Sequence, residues 1–192
     1  MHPALPLSAV SLCAMLLAAP VFAQPLVLTP ADPQPTALTE GLSVAYVKGA
    51  GGRTLKEAKS KLKRAKTGTP LAGLSYRDTE AGESVLTSDA QEKLAATISG
   101  FIRFETAGTY DIEFFSNDGL EAYIGGQQVA LADGVRGCDR TGAVTVSVPA
   151  AGWYPLEATY FQRKGSACLM MDWSVSGKLR PTPDSAFGFA GD

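Results

Sequence analysis

The sequence predicts an all-β protein, an antiparallel β-sandwich of jelly-roll-like type with one short basic helix or loop insertion. Three observations predict it. Short runs of alternating apolar and polar residues recur along the chain, turn residues separate them at hairpin spacing, and helical spacing is confined to residues 53–66.

The first 23 residues are expected to lie outside the fold. Residues 5–22 are rich in Leu, Ala and Val, carry no charge, and lead into a cleavage pattern at Val21, Phe22 and Ala23. This reads as a secretory signal peptide. A retained membrane anchor is the alternative, because only the terminal amine and His2 supply positive charge. Cleavage would leave 169 of the 192 residues, the size of one ordinary domain, with no further apolar run long enough to span a bilayer. A secreted or periplasmic location is therefore expected. Residues 24–40 contain four prolines and little periodicity and read as a leader or linker, so a single sandwich domain is expected over residues 41–192.

Leu42, Val44 and Tyr46 share one face of the first expected strand. Residues 53–66 follow, with seven basic residues against one glutamate, and with Leu55, Ala58, Leu62 and Ala65 at helical spacing. That segment carries +6 in a chain of −2 overall, so the remainder carries −8. Two readings stay open: a solvated helix or loop, or a patch at Lys56, Lys59, Lys61, Lys63, Arg64 and Lys66 for an anionic surface or partner. No aromatic residue interrupts the run to stack on bases, so no nucleic-acid partner is expected.

Residues 76–94 are polar and acidic and read as a loop with a short strand over residues 84–87. Residues 100–126 read as three strands. In the middle one Tyr110, Ile112 and Phe114 oppose Asp111 and Glu113, while Asp118 with Gly119 and Gly125 with Gly126 supply turns, which together predict an antiparallel meander. Val144, Val146 and Val148 form the next alternating row. Tyr154, Leu156, Ala158 and Tyr160 follow after the turn at Gly152, and Leu169, Met171, Trp173 and Val175 close the core.

Cys138 and Cys168 are the only thiols past residue 23, and an oxidising compartment makes a disulfide between them the expected state. Two buried thiols are the alternative. The lone histidine is His2, inside the expected signal peptide. Its position removes histidine-based triads and histidine-ligated zinc from the mature chain. Asp111 and Glu113 could share a strand face as a glycosidase pair, but alternating acids on the solvent side of a strand ordinarily serve solubility, and no enzyme is expected.

The central block, with its Ala107-Gly108-Thr109-Tyr110 turn, Ser116-Asn117-Asp118-Gly119 and Ala122-Tyr123-Ile124-Gly125-Gly126, resembles the signature of the protective-antigen domain family. This is a β-sandwich module of toxins, glycosidases and adhesins. Residues 41–46, 151–156 and 169–173 resemble its opening strand, late turn and closing strand. The resemblance implies a non-catalytic binding module for a glycan or other cell-envelope component. In the family's sugar-binding adhesins two adjacent aspartates hold a calcium ion that grips sugar hydroxyls. Here Asn117 and Asp118 stand at that place, implying a calcium site weakened by one charge, with Gly119 beside it. Turn architecture is the other reading, since Asn, Asp and Gly are what a tight turn selects. Tyr123, Trp153 and Phe115 fall opposite the inferred core rows and are candidate platforms for sugar rings.

Overall fold

The computed structural model describes residues 24–50, 52–175 and 177–191. The expected signal peptide, with His2 and Cys13, lies outside the described residues. In chain order the strands are β1 (Leu26–Val27), β2 (Thr39–Glu40), β3 (Ser43–Lys48), β4 (Lys66–Thr67), β5 (Ser75–Tyr76), β6 (Leu94–Phe104) and β7 (Gly108–Ser116). They continue as β8 (Gly119–Ile124), β9 (Gln127–Ala132), β10 (Asp139–Arg140), β11 (Val144–Val148), β12 (Gly152–Gln162), β13 (Leu169–Val175), β14 (Arg180–Pro181) and β15 (Phe187–Phe189). One α-helix, α1 (Leu55–Leu62), precedes β4.

Among the described residues the strands form two sheets packed face to face. The first runs β1-β11-β7-β13-β14, with β5 and β10 attached, and the second runs β2-β15-β6-β12-β8-β9, with β3 against β6 and β4 against β3. The alternating rows are what places the core. Ile112 and Phe114 from the first sheet meet Ile98, Ile102, Tyr154, Leu156 and Tyr160 from the second, all at 1% exposure or less. Most inward rows fall where alternation predicts. Leu42, Val44 and Tyr46 are buried, as are Leu169 and Met171, and Trp173 packs on Phe104 and Tyr110.

Four expectations are corrected. Residues 100–126 are not a meander: β7 lies in the first sheet while β6 and β8 flank β12 in the second, so the chain arches between layers at both turns. Alternation is the same for a strand paired with its sequence neighbour and for one facing it across a core, so pattern could not separate the two. The leader is no linker. β1 pairs in parallel with β11, Leu28 is 1% exposed, and Thr29 N–H donates to the Gly125 carbonyl. Gly125 has φ +54°, and a Cβ there would lie 2.7 Å from Thr29 N, so the glycine serves both the turn and the close approach of the leader. Residues 84–87 form a loop with a turn at residues 86–87 rather than a strand, with Val85 buried as a plug.

The fourth correction concerns the basic segment. Its helix stops at Leu62, and the chain re-enters the second sheet's edge as β4. Thr54 caps the start by accepting the Glu57 N–H, and Leu55 and Ala58 bury against Phe161 and Ala95 on the outer face of the second sheet.

Candidate functional site

The arch between β7 and β8 brings Asn117 and Asp118 into the interior of one loop end. Each is 2% exposed. Asn117 Oδ1 accepts from the Tyr160 hydroxyl at 2.7 Å and from Cys168 N–H at 3.1 Å, while its Nδ2 donates to the Ser166 carbonyl. Asp118 Oδ1 accepts from Arg136 N–H at 3.2 Å and Oδ2 from Arg163 N–H at 2.5 Å. Two side chains thus tie the loop after β9 and the loop between β12 and β13 to one arch. Burial raises the Asp118 carboxyl above its ordinary range against the two N–H bonds, which lower it. Burial, followed by the Asp118 charge, holds the Tyr160 hydroxyl well above the ordinary phenol value, so it stays a donor.

The same bonds test the calcium expectation. A calcium ion requires six to eight oxygens turned toward one point. Here a phenol O–H and three backbone N–H groups are aimed at the oxygens of Asn117 and Asp118, and donors in those directions oppose a cation. As placed, the pair does not fit calcium. Asp118 itself takes the left-handed conformation, φ +50°, while Gly119 is needed for space: a Cβ there would lie 1.9 Å from Phe161 Cε1. Gly119 is buried as well. The arch carries the turn chemistry that the sequence left as the other reading.

Cys138 and Cys168 form a disulfide with a Cα–Cα distance of 5.9 Å, stapling the same two loops. Asp78 lies beside these sulfurs, the one grouping of three potential metal-ligand atoms among the described residues, but bonded sulfurs offer no thiolate to a metal.

The aromatic candidates separate. Phe115 faces outward from the first sheet beneath the Arg140 guanidinium, 5.8 Å from its ring centroid. Glu113 beside it is 6% exposed, with Arg140 Nε 3.9 Å away, and Asp111 accepts from the Thr145 hydroxyl at 2.8 Å. That pair is occupied on a sheet face rather than opposed across a cleft. Trp153 lies on the outer face of the second sheet, its ring covered by Arg103 at 5.7 Å and close to Gly188.

Tyr123 is differently placed. It stands on β8 directly across from Glu157 on β12, which in turn lies across from Ser99 on β6. Its hydroxyl accepts from Gln128 Nε2 at 3.1 Å, which orients the ring. A trough of about 390 Å³ runs beside it, walled by Lys59 and Leu62 of α1 and floored by Thr97, Ser99 and Thr159. A second hollow of about 580 Å³ continues past Tyr123 and Glu157 to Thr29 and Pro30 of the leader. Glu121 is held by Lys59, whereas Glu157 is exposed and makes no ion pair with another described residue. Sequence reasoning found Tyr123 but missed Glu157, Ser99 and Gln128, since their alignment depends on β12 pairing with both β6 and β8.

The family model for the PA14 domain matches residues 77–186, more than half of the chain. The chain belongs to the PA14 domain family. The fold is similar to that of the PA14 domain of the antifreeze protein MpAFP, with a TM-score of 0.67 and 16% identity over 84% of this chain and 97% of that one. It is also similar to the PA14 sugar-binding domain of an RTX adhesin, with a TM-score of 0.61 and 16% identity over 79% of this chain and 99% of that one. A third likeness is to the A domain of Epithelial Adhesin 6 from Candida glabrata, solved in complex with Galb1-3GlcNAc. Its TM-score is 0.67, at 13% identity over 86% of this chain and 93% of that one. No curated protein matches the chain.

In this PA14 domain the basic segment precedes the family-matched region, and the structure divides it. Lys59 pairs with Glu121, Lys61 Nζ donates to the Ala50 carbonyl at 2.9 Å, and Lys56 and Lys63 face solvent. Arg64 and Lys66 turn to the far side, where they line a cavity with Lys48. The run is thus no single basic face. Among the described residues no helix is long and apolar enough to cross a membrane.

Proposed function

We propose that this PA14 domain is a secreted or periplasmic, non-catalytic carbohydrate-binding module whose ligand lies in the trough at Tyr123 and needs no calcium. The observation that carries the reading is the Tyr123–Glu157 pair. An oriented aromatic ring beside an uncommitted carboxylate, among the hydroxyls of Thr97, Ser99 and Thr159, offers a sugar an apolar face and acceptors for its hydroxyls. The likeness to the PA14 sugar-binding domain of an RTX adhesin, and to an adhesin domain solved with a disaccharide, supports the ligand class. The disulfide supports an oxidising compartment, in keeping with the expected signal peptide.

Asn117, Asp118 and Gly119 take the part of an internal brace in this reading, and Trp153 stands outside the trough. The test is a glycan-array screen of the mature protein followed by calorimetry of the best ligand. Tyr123→Ala and Glu157→Gln should each weaken it by about tenfold or more, with equal affinity in calcium and in chelator. Silence of the wild type on the array, or full binding by both variants, would remove the proposal.

A further inference from the structure

We infer that the domain holds a second site, a basic cavity at Lys48, Arg64 and Lys66 that takes an acidic saccharide bearing carboxylate or sulfate groups. The cavity measures about 800 Å³ and lies on the edge of the second sheet, between β3, the segment leading from α1 into β4, and the loop at residues 87–89. It does not share residues with the trough at Tyr123.

Its floor is built rather than incidental. Tyr46 is 7% exposed, and its hydroxyl accepts from Thr87 N–H at 3.3 Å and meets Thr87 Oγ1 at 2.8 Å, which donates onward to the Thr69 carbonyl at 2.5 Å. Gly68 rests on that ring so closely that a Cβ would lie 2.5 Å from its carbons. A hydrogen-bonded chain with a glycine seated on it holds the cavity open at little further ordering cost when a ligand enters.

The charge around this floor is unbalanced. Arg64 and Lys66 make no ion pair with another described residue, and Lys48 pairs only with Asp89, at 56% and 79% side-chain exposure, so that solvent and ligand compete readily for it. Three cations therefore face one carboxylate. The exposed hydroxyl residues Thr67 and Thr69 stand among them, supplying neutral partners for sugar hydroxyls beside the charged partners for an anion. A concave, hydroxyl-lined cavity favours a saccharide over a flat lipid surface. The cavity lining has no exposed large apolar residue for membrane insertion, and the buried Tyr46 ring leaves no stacking face for a base.

The experiment is calorimetry of the mature protein with dextran sulfate oligosaccharide against dextran, with oligogalacturonate against neutral galactan oligosaccharide, and with vesicles containing anionic lipid, each at low and raised salt. One or both acidic saccharides should bind and their neutral counterparts should not, with affinity falling as salt rises. The R64A/K66A double variant should lose about tenfold or more, while Tyr123→Ala should leave the acidic ligand unaffected. Both altered side chains are exposed, and an unchanged unfolding midpoint shows the fold intact. Absence of acidic-saccharide binding, equal binding of neutral counterparts, tighter capture by vesicles, or wild-type affinity in R64A/K66A would each overturn the inference. Loss of neutral-sugar binding at the trough would leave it standing.

Discussion

Tyr160, fully buried, donates its hydroxyl hydrogen to Asn117 Oδ1 at 2.7 Å, joining the C-terminal part of β12 to the arch that carries the chain from one sheet to the other. Tyr160→Phe removes one of the two donors to that oxygen and should cost about 1 to 2 kcal/mol. Asn117→Ala, which also orphans Cys168 N–H, should cost about 3 kcal/mol. Urea unfolding at constant m-value measures both, and variants as stable as wild type would show that the brace contributes nothing.

Calcium should leave the protein's stability unchanged, because the oxygens of Asn117 and Asp118 already accept from N–H and O–H donors. An ion bound at a hundredfold excess over its Kd would add about 2.7 kcal/mol. Thermal unfolding in millimolar calcium and in chelator should therefore superimpose. A higher midpoint with calcium would show that the arch rearranges around an ion.

Asp118 should make the domain less stable as pH rises, the reverse of a salt-bridged carboxylate. Its folded-state carboxyl is raised by burial above its unfolded value, so in the window between the two the native state binds the extra proton. The stabilisation is complete below the ordinary carboxylate range and is lost as pH climbs through the raised folded value. Denaturation of wild type and Asp118→Asn across mildly acid to neutral pH reads this directly. The advantage of wild type over the variant should shrink with rising pH, and a constant or growing difference would contradict the direction.

Gly119→Ala should destabilise by about 2 to 3 kcal/mol, since its Cβ would overlap the Phe161 ring that α1 covers on the outer face. The same substitution in a Phe161→Leu background should cost less, because the overlapping ring atom is gone. Additive losses in the double variant, measured by denaturant unfolding, would show that the crowding lies elsewhere.

These outcomes bear on how far the residues alone could be read. The inward rows at Val44, Ile112, Leu156 and Met171 were legible because period-two alternation is a local property that burial enforces. The disulfide was legible from the cysteine count and the expected oxidising compartment. Asp118 and Gly119 have the sequence of a hairpin pair, yet only Asp118 needs the left-handed conformation, and the glycine answers to a ring 42 positions further along the chain. Four prolines give the leader the pattern of a linker and hide the fact that Leu28 reaches the core.

By itself the sequence determined the layered β architecture, the family, the covalent staple and the want of histidine chemistry beyond the expected leader, all of which follow from residue type and short-range spacing. The tertiary structure alone decided that Asn117 and Asp118 turn inward as a brace, that Tyr123 meets Glu157, and that Arg64 and Lys66 part from the rest of their run to join Lys48. The reason is physical. Which strands pair across a sandwich, and where an arch buries its polar atoms, is settled by long-range packing and hydrogen-bond satisfaction, and neither leaves a periodic trace in the chain.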